Sequence, residues 1–215
     1  MSAHSIAGWI QGIAVVVTGV VLGSLVGGLV GAIIGGLVLA PFALFYGRAV
    51  KQGEVYTGDG MGIWRFLLDA TWSSLNTAAG AIYYGSHMLF GHTFNVDKTR
   101  GTGSLWIDES VSDDYATTIG TVKAGSNERI DDHEMIHVFQ ARLFGPLYLL
   151  LVGLNYVIAT ILPYWLLFKD RKPVTGFGSY FLDGVYPHVW NELWAYKYAK
   201  KPAPAPAPPT APAPA

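Results

Sequence analysis

Three residues in one short stretch carry most of the chemistry this chain offers: His133 and His137 stand four apart, with Glu134 between them, in His133-Glu134-Met135-Ile136-His137. On a helix, positions four apart share a face, so both imidazoles can point at one zinc ion. Glu134, one position round, then reaches the water that such an ion activates. Zn2+ is the cofactor this arrangement predicts. The chain has no cysteine, which excludes thiolate ligands, disulfides and Cys nucleophiles and leaves His, Asp and Glu to bind a metal.

The flanks predict the helix that must present these residues. Ser126 or Asn127 can cap it, and Glu128, Asp131 and Asp132 sit where the helix dipole favours acids. Arg142 lies near its end, and Gly145-Pro146 stops it. Ile130, His133, His137, Ala141 and Phe144 fall on one stripe, so the histidines are expected to face the interior. Before the helix, 104–108 and 115–123 show the β-branched, aromatic and alternating pattern of short strands, with Val-Ser-Asp-Asp turning between them. A hairpin is expected there. In zincin folds, to which this order is similar, an edge strand beside the metal aligns an extended peptide, and Ala116 to Lys123 is the candidate.

The remainder reads as membrane sequence. No charged side chain occurs from Ile6 to Gly47, about twice the ~20 residues that one helix needs to cross the bilayer. Gly19, Gly23, Gly27, Gly31 and Gly35 recur every four residues, a ridge on which another helix can approach closely. Gly27-Gly28 or Gly35-Gly36 can turn the chain, so a transmembrane glycine-zipper hairpin over 6–47 is expected. The lipid bilayer is its partner, and the ridge also suits a homo-oligomer or other membrane subunits. Arg48, Lys51 and Arg65 follow, placing this connection on the cytoplasmic side.

A second unit, 54–200, contains the metal motif and two apolar helices, 70–90 and 147–168. Ser73, Ser74, Asn76, Thr77 and His87 direct the first of these against protein or the interface. His87 and His92 read as hydrogen-bonding residues. In 147–168, Gly153, Asn155 and Pro163 make a bent, re-entrant or protein-buried segment as plausible as a straight span. The Pro-Ala tail, 201–215, cannot form a core and is expected to be disordered. A net charge of −1 without a basic stripe argues against nucleic acid as a partner.

The HExxHxxQ run from His133 to Gln140, then Gly145-Pro146-Leu147-Tyr148 and Trp190-Asn191-Glu192-Leu193-Trp194-Ala195, resembles a set of uncharacterised bacterial membrane-associated zincin-like proteins. Trp64-Arg65-Phe66-Leu67-Leu68-Asp69 and Thr71-Trp72-Ser73-x-x-Asn76-Thr77 also look like theirs. The resemblance covers about 60–200 and implies a gluzincin-type site in which Glu192 is the third ligand, in a bacterial inner membrane. Met135-Ile136, where a small Gly often precedes the second His, departs from the pattern. A rival third ligand is Asp183, since Leu182-Asp183-Gly184 resembles the Leu-Asp-Gly motif of site-2 proteases.

The expected protein is therefore a mainly α-helical membrane protein with a small α+β zincin-like domain. Two functions follow. One is a membrane-anchored zinc metallopeptidase acting on a peptide or protein substrate, with Glu134 as general base and His188 or Tyr186 steadying the oxyanion. The other is a catalytically inactive zincin-like subunit of a membrane complex, assembled through the glycine ridge.

Overall fold

A computed structural model describes residues 2–111, 115–127, 130–169 and 172–199. The tail 201–215, residues 112–114 of the expected turn, and Glu128 lie outside the described residues.

The charge-free N-terminal stretch is helical over Ala3–Gln52 (α1), started by Ser2, whose Oγ accepts from the Ser5 N–H at 3.2 Å. It is two arms, because Gly27 (φ −135°, ψ 21°) and Gly28 (φ 58°, ψ −139°) leave helical geometry and fold the chain back. The ridge glycines then face one another. A Cβ on Gly23 would lie 2.0 Å from the Gly31 carbonyl oxygen, and one on Gly35 2.1 Å from that of Gly19. Only glycine permits backbones this close. The expected hairpin is thus formed, with Gly27-Gly28 as its turn. Its ridge is spent inside the chain, and Gly27 itself meets nothing within 4 Å.

The base of the hairpin is buried, with Val15, Tyr46, Ala49 and Val50 in the main core, whereas the tip is bare, Val26 being 93% exposed. Against the base pack α2 (Gly60–Ala70) and α3 (Ser74–Leu89). The polar residues of α3 are used inward, as expected for a helix packed on protein: Asn76, Thr77 and His87 are buried. His87 and His92 pair through their Nδ1 atoms at 2.6 Å.

A short helix, α4 (Val96–Thr99), leads into a three-stranded sheet of β1 (Leu105–Ile107), β2 (Thr117–Ile119) and β3 (Val122–Ala124), ordered β1-β3-β2. The sequence reading ran one strand through 115–123. Instead Gly120, at φ 59°, turns the chain within it, so β2 and β3 form a tight antiparallel hairpin, with Ile119 opposite Val122. β1 pairs with β3 in parallel. A glycine in a strand pattern was the available signal for that turn. β2 remains at the sheet edge.

The motif helix, α5 (Asp131–Phe144), ends where Gly145 takes φ 55°. A Cβ there would also sit 2.3 Å from the Trp72 ring. Ile130 occupies the N-cap position, and the first turn is held by the Asn127 carbonyl, which accepts from the Ile130 and Asp131 N–H. After one 3-10 turn comes α6 (Tyr148–Ile161). Both Ala3–Gln52 and the helical run Asp131–Ile161 are long and apolar enough to cross a membrane.

Past α6 the chain does not continue outward. It breaks at Pro163 and makes a 3-10 turn over Tyr164–Leu167. It then returns along α6 through α7 (Phe177–Ser179), a π-helical stretch Tyr180–Val185 and α8 (Tyr186–His188), ending in α9 (Trp190–Tyr198). The return is tied to α6 by Tyr180 Oη donating to the Thr160 carbonyl at 2.6 Å, and by Tyr156 stacking on Phe181. Asn155, costly against lipid, accepts from the Trp190 N–H at 3.0 Å and so orients the first turn of α9. This bend brings Glu192 back to the helix that carries the histidines.

Candidate metal centre

His133, His137 and Glu192 form a buried group whose ligand atoms all lie within 4.8 Å of one another, an arrangement that can hold a metal ion. The two Nε2 atoms are 3.1 Å apart; His133 Nε2 lies 3.1 Å from Glu192 Oε2, and His137 Nε2 3.4 Å from Glu192 Oε1. Ligands about 2.0–2.1 Å from a tetrahedral zinc ion stand roughly 3.3 Å apart. The triangle therefore has the size of three corners of a zinc tetrahedron.

The hydrogen bonds around His137 fix its tautomer. Gln140 Nε2 donates to the Asn191 carbonyl at 2.9 Å, an oxygen that can only accept. Gln140 Oε1 is thereby turned to His137 Nδ1, 3.0 Å away, which must carry the proton. His137 Nε2 is left to face His133 Nε2 and the Glu192 carboxylate. Lone pairs converging at such distances repel unless a cation or proton sits among them, which is the fit expected of a metal site. Tyr148 Oη also donates to Gln140 Oε1, and Asn191 Nδ2 donates to Glu192 Oε1 at 3.1 Å. The Tyr196 ring lies against His133, with centroids 4.5 Å apart.

Burial pushes the Glu192 pKa up, but hydrogen bonds and charge from His133 and His137 outweigh it and hold the carboxyl at about 2. It is an anion at neutral pH. Glu134 is also buried, and its Oε2 accepts from Thr118 Oγ1 at 2.6 Å, so strand β2 positions the would-be base. Lys123, fully buried in β3 over the Trp106 ring, pairs with Asp131 at the first turn of α5. Burial lowers its pKa while Asp131 raises it.

The far end of α5 is held by residues of the Trp-Arg-Phe-Leu-Leu-Asp and Thr-Trp-Ser-x-x-Asn-Thr stretches. Asp69, wholly buried, accepts from Arg142 Nε at 2.8 Å and Nη2 at 2.7 Å, and from Tyr56 Oη at 2.8 Å. Arg142 Nη2 also reaches the Gly103 carbonyl. Ser73 Oγ and Asn76 Nδ2 both donate to the Ala141 carbonyl, and Asn76 Nδ2 to that of Gly145. These groups satisfy carbonyls that the helix end leaves orphaned.

The structure thus brings His133, His137, Glu192 and Glu134 to one place and leaves Asp183 out of the cluster. Asp183 pairs with Lys172 at 2.9 Å on the surface. His188 is buried in the aromatic core near Trp165, stacked on that ring, with Nδ1 2.6 Å from the Gly184 carbonyl. Tyr186 feels the charges of both Glu192 and Glu134. The sequence reading did not assign roles to Thr118, Asn191 or Tyr196, because nothing local marks a residue whose partner is distant in the chain. No family model matches the chain, and neither does any curated protein or solved structure.

Proposed function

We propose that the protein is a membrane-anchored zinc metallopeptidase, held in the bilayer by the α1 hairpin and hydrolysing peptide bonds. The observation that carries this reading is the 3.1–3.4 Å triangle of His133, His137 and Glu192 beside a buried glutamate. His133, His137 and Glu192 would hold a zinc ion, which when bound would supply the Lewis acid that activates water near neutral pH and polarises the scissile carbonyl. Glu134 takes a proton from the attacking water; the oxygen bonds to the carbonyl carbon, the C–N bond breaks, and the proton passes to the leaving amine. Thr118 keeps Glu134 aimed. Edge strand β2 is the place for an extended substrate to pair. For the oxyanion, Tyr186 is the better candidate than His188. His188 Nδ1 is engaged by the Gly184 carbonyl, whereas Tyr186 lies near enough to Glu192 and Glu134 to feel their charges. Arg48 and Lys51 at the hairpin base favour the cytoplasmic face.

Burial of all four site side chains favours a second reading, a zincin-like subunit that keeps its metal for structure. Cleavage of a casein-like substrate by the purified protein separates the two. On the first reading, Glu134→Gln retains zinc and lowers turnover about 10²–10⁴-fold. Full metal occupancy with no turnover in the wild type establishes the second.

A further inference from the structure

The outer surface of the metal helix has a character of its own. Between α2 and α5 runs a cleft of about 710 Å³, lined mainly by apolar side chains such as Trp64, Trp72 and Phe139, with Arg65, Asp132 and Arg142 also on its wall. The exposed side chains of α2 are apolar: Met61, Ile63, Trp64 and Leu67, with Trp64 exposed by 58%. Of its two charged residues, Asp69 is buried on Arg142, and Arg65, half-buried at the cleft wall, reaches the Thr102 carbonyl. A helix facing water carries its charges on the exposed side, so this one faces something else. Across the cleft, α5 exposes Phe139 and Leu143. The strip then continues through Leu147 into Leu150, Leu154, Val157 and Ile161 of α6, within the run long and apolar enough to cross a membrane.

We propose that this surface is the seat of the domain on lipid: α2 lies in the boundary between headgroups and acyl chains of a phospholipid bilayer, and acyl chains fill the cleft between α2 and α5. Continuity of the strip with α6 selects lipid as the occupant over a second copy or another protein. Trp64 and Trp72 fit that depth, because an indole places an apolar ring beside a polar N–H. An apolar face backed by polar contacts is also how a helix lies in the plane of an interface. The inference rests on the membrane association proposed above, and it deepens it. With lipid on one face of α5 and the metal ligands on the other, the centre is about one helix diameter, roughly 10 Å, from acyl chains. Its substrates are then peptide segments lying at the membrane surface.

The absence of cysteine makes the test direct. Single cysteines at Leu67, Phe139 and, as a control, Lys98 on α4 are labelled with an environment-sensitive fluorophore, and the full chain is reconstituted into phosphatidylcholine vesicles. Nitroxide lipids labelled near the headgroup end of the acyl chain should quench the probes at 67 and 139 several-fold more than the probe at 98. Aqueous iodide should do the reverse. Equal nitroxide quenching at the three positions, in protein that floats with the vesicles, overturns the seat and leaves the membrane anchor standing. Probes at 67 and 139 shielded from both quenchers show a protein covering the cleft and overturn the lipid occupant. Failure to float with vesicles overturns both the seat and the anchor.

Discussion

The N-terminal hairpin and the metal centre each bring distant residues into contact, and they do so by opposite means. In the hairpin, side chains are removed until carbonyl and Cα atoms touch, as where Gly31 occupies the place a Gly23 Cβ would need. Around the candidate metal centre, polar groups are added and matched in pairs: Gln140 to His137 and Asn191, Thr118 to Glu134, Asp69 to Arg142. Shape alone suffices for a hairpin made almost wholly of apolar residues. A metal needs ligand atoms placed to within about 0.5 Å, and that takes residues whose own positions are locked.

Four substitutions sharpen the contrast. The largest loss is expected from Asp69→Ala, which leaves Arg142 charged and unpaired beneath α5; denaturant unfolding should show a loss of about 3–5 kcal/mol. Next is Gly31→Leu, which forces the arms apart and should cost about 1–3 kcal/mol by thermal unfolding in detergent. Gly27→Leu at the open turn should leave stability nearly unchanged. If the two glycines respond alike, close packing is not what holds the hairpin. At the metal centre, Gln140→Ala frees the His137 ring without removing a ligand. Chelator competition should show zinc affinity lowered about 10–100-fold with the fold intact.

The hairpin was legible because its signals are local: a charge-free run, a four-residue glycine period and a Gly-Gly pair at the turn. His133, Glu134 and His137 were legible for the same reason, being one helical turn. The site's support was not. Nothing near Asp69 in sequence announces Arg142, 73 positions on, and the bend that returns Glu192 depends on Asn155 finding the Trp190 N–H. Gly153, Asn155 and Pro163 marked where a bend was affordable, but only tertiary packing decided it. The β2–β3 turn was missed because alternation continues through Gly120, and a single glycine is weaker than the pattern around it.

The central claim is that His133, His137 and Glu192 share one metal ion. Zinc content of the purified chain tests it most directly, measured for the wild type, Glu192→Ala and Asp183→Ala after dialysis against a weak chelator. Equimolar zinc is expected in the wild type and in Asp183→Ala, with most of it lost in Glu192→Ala. A wild-type chain without zinc, or a Glu192→Ala chain that keeps its full complement, would contradict the account.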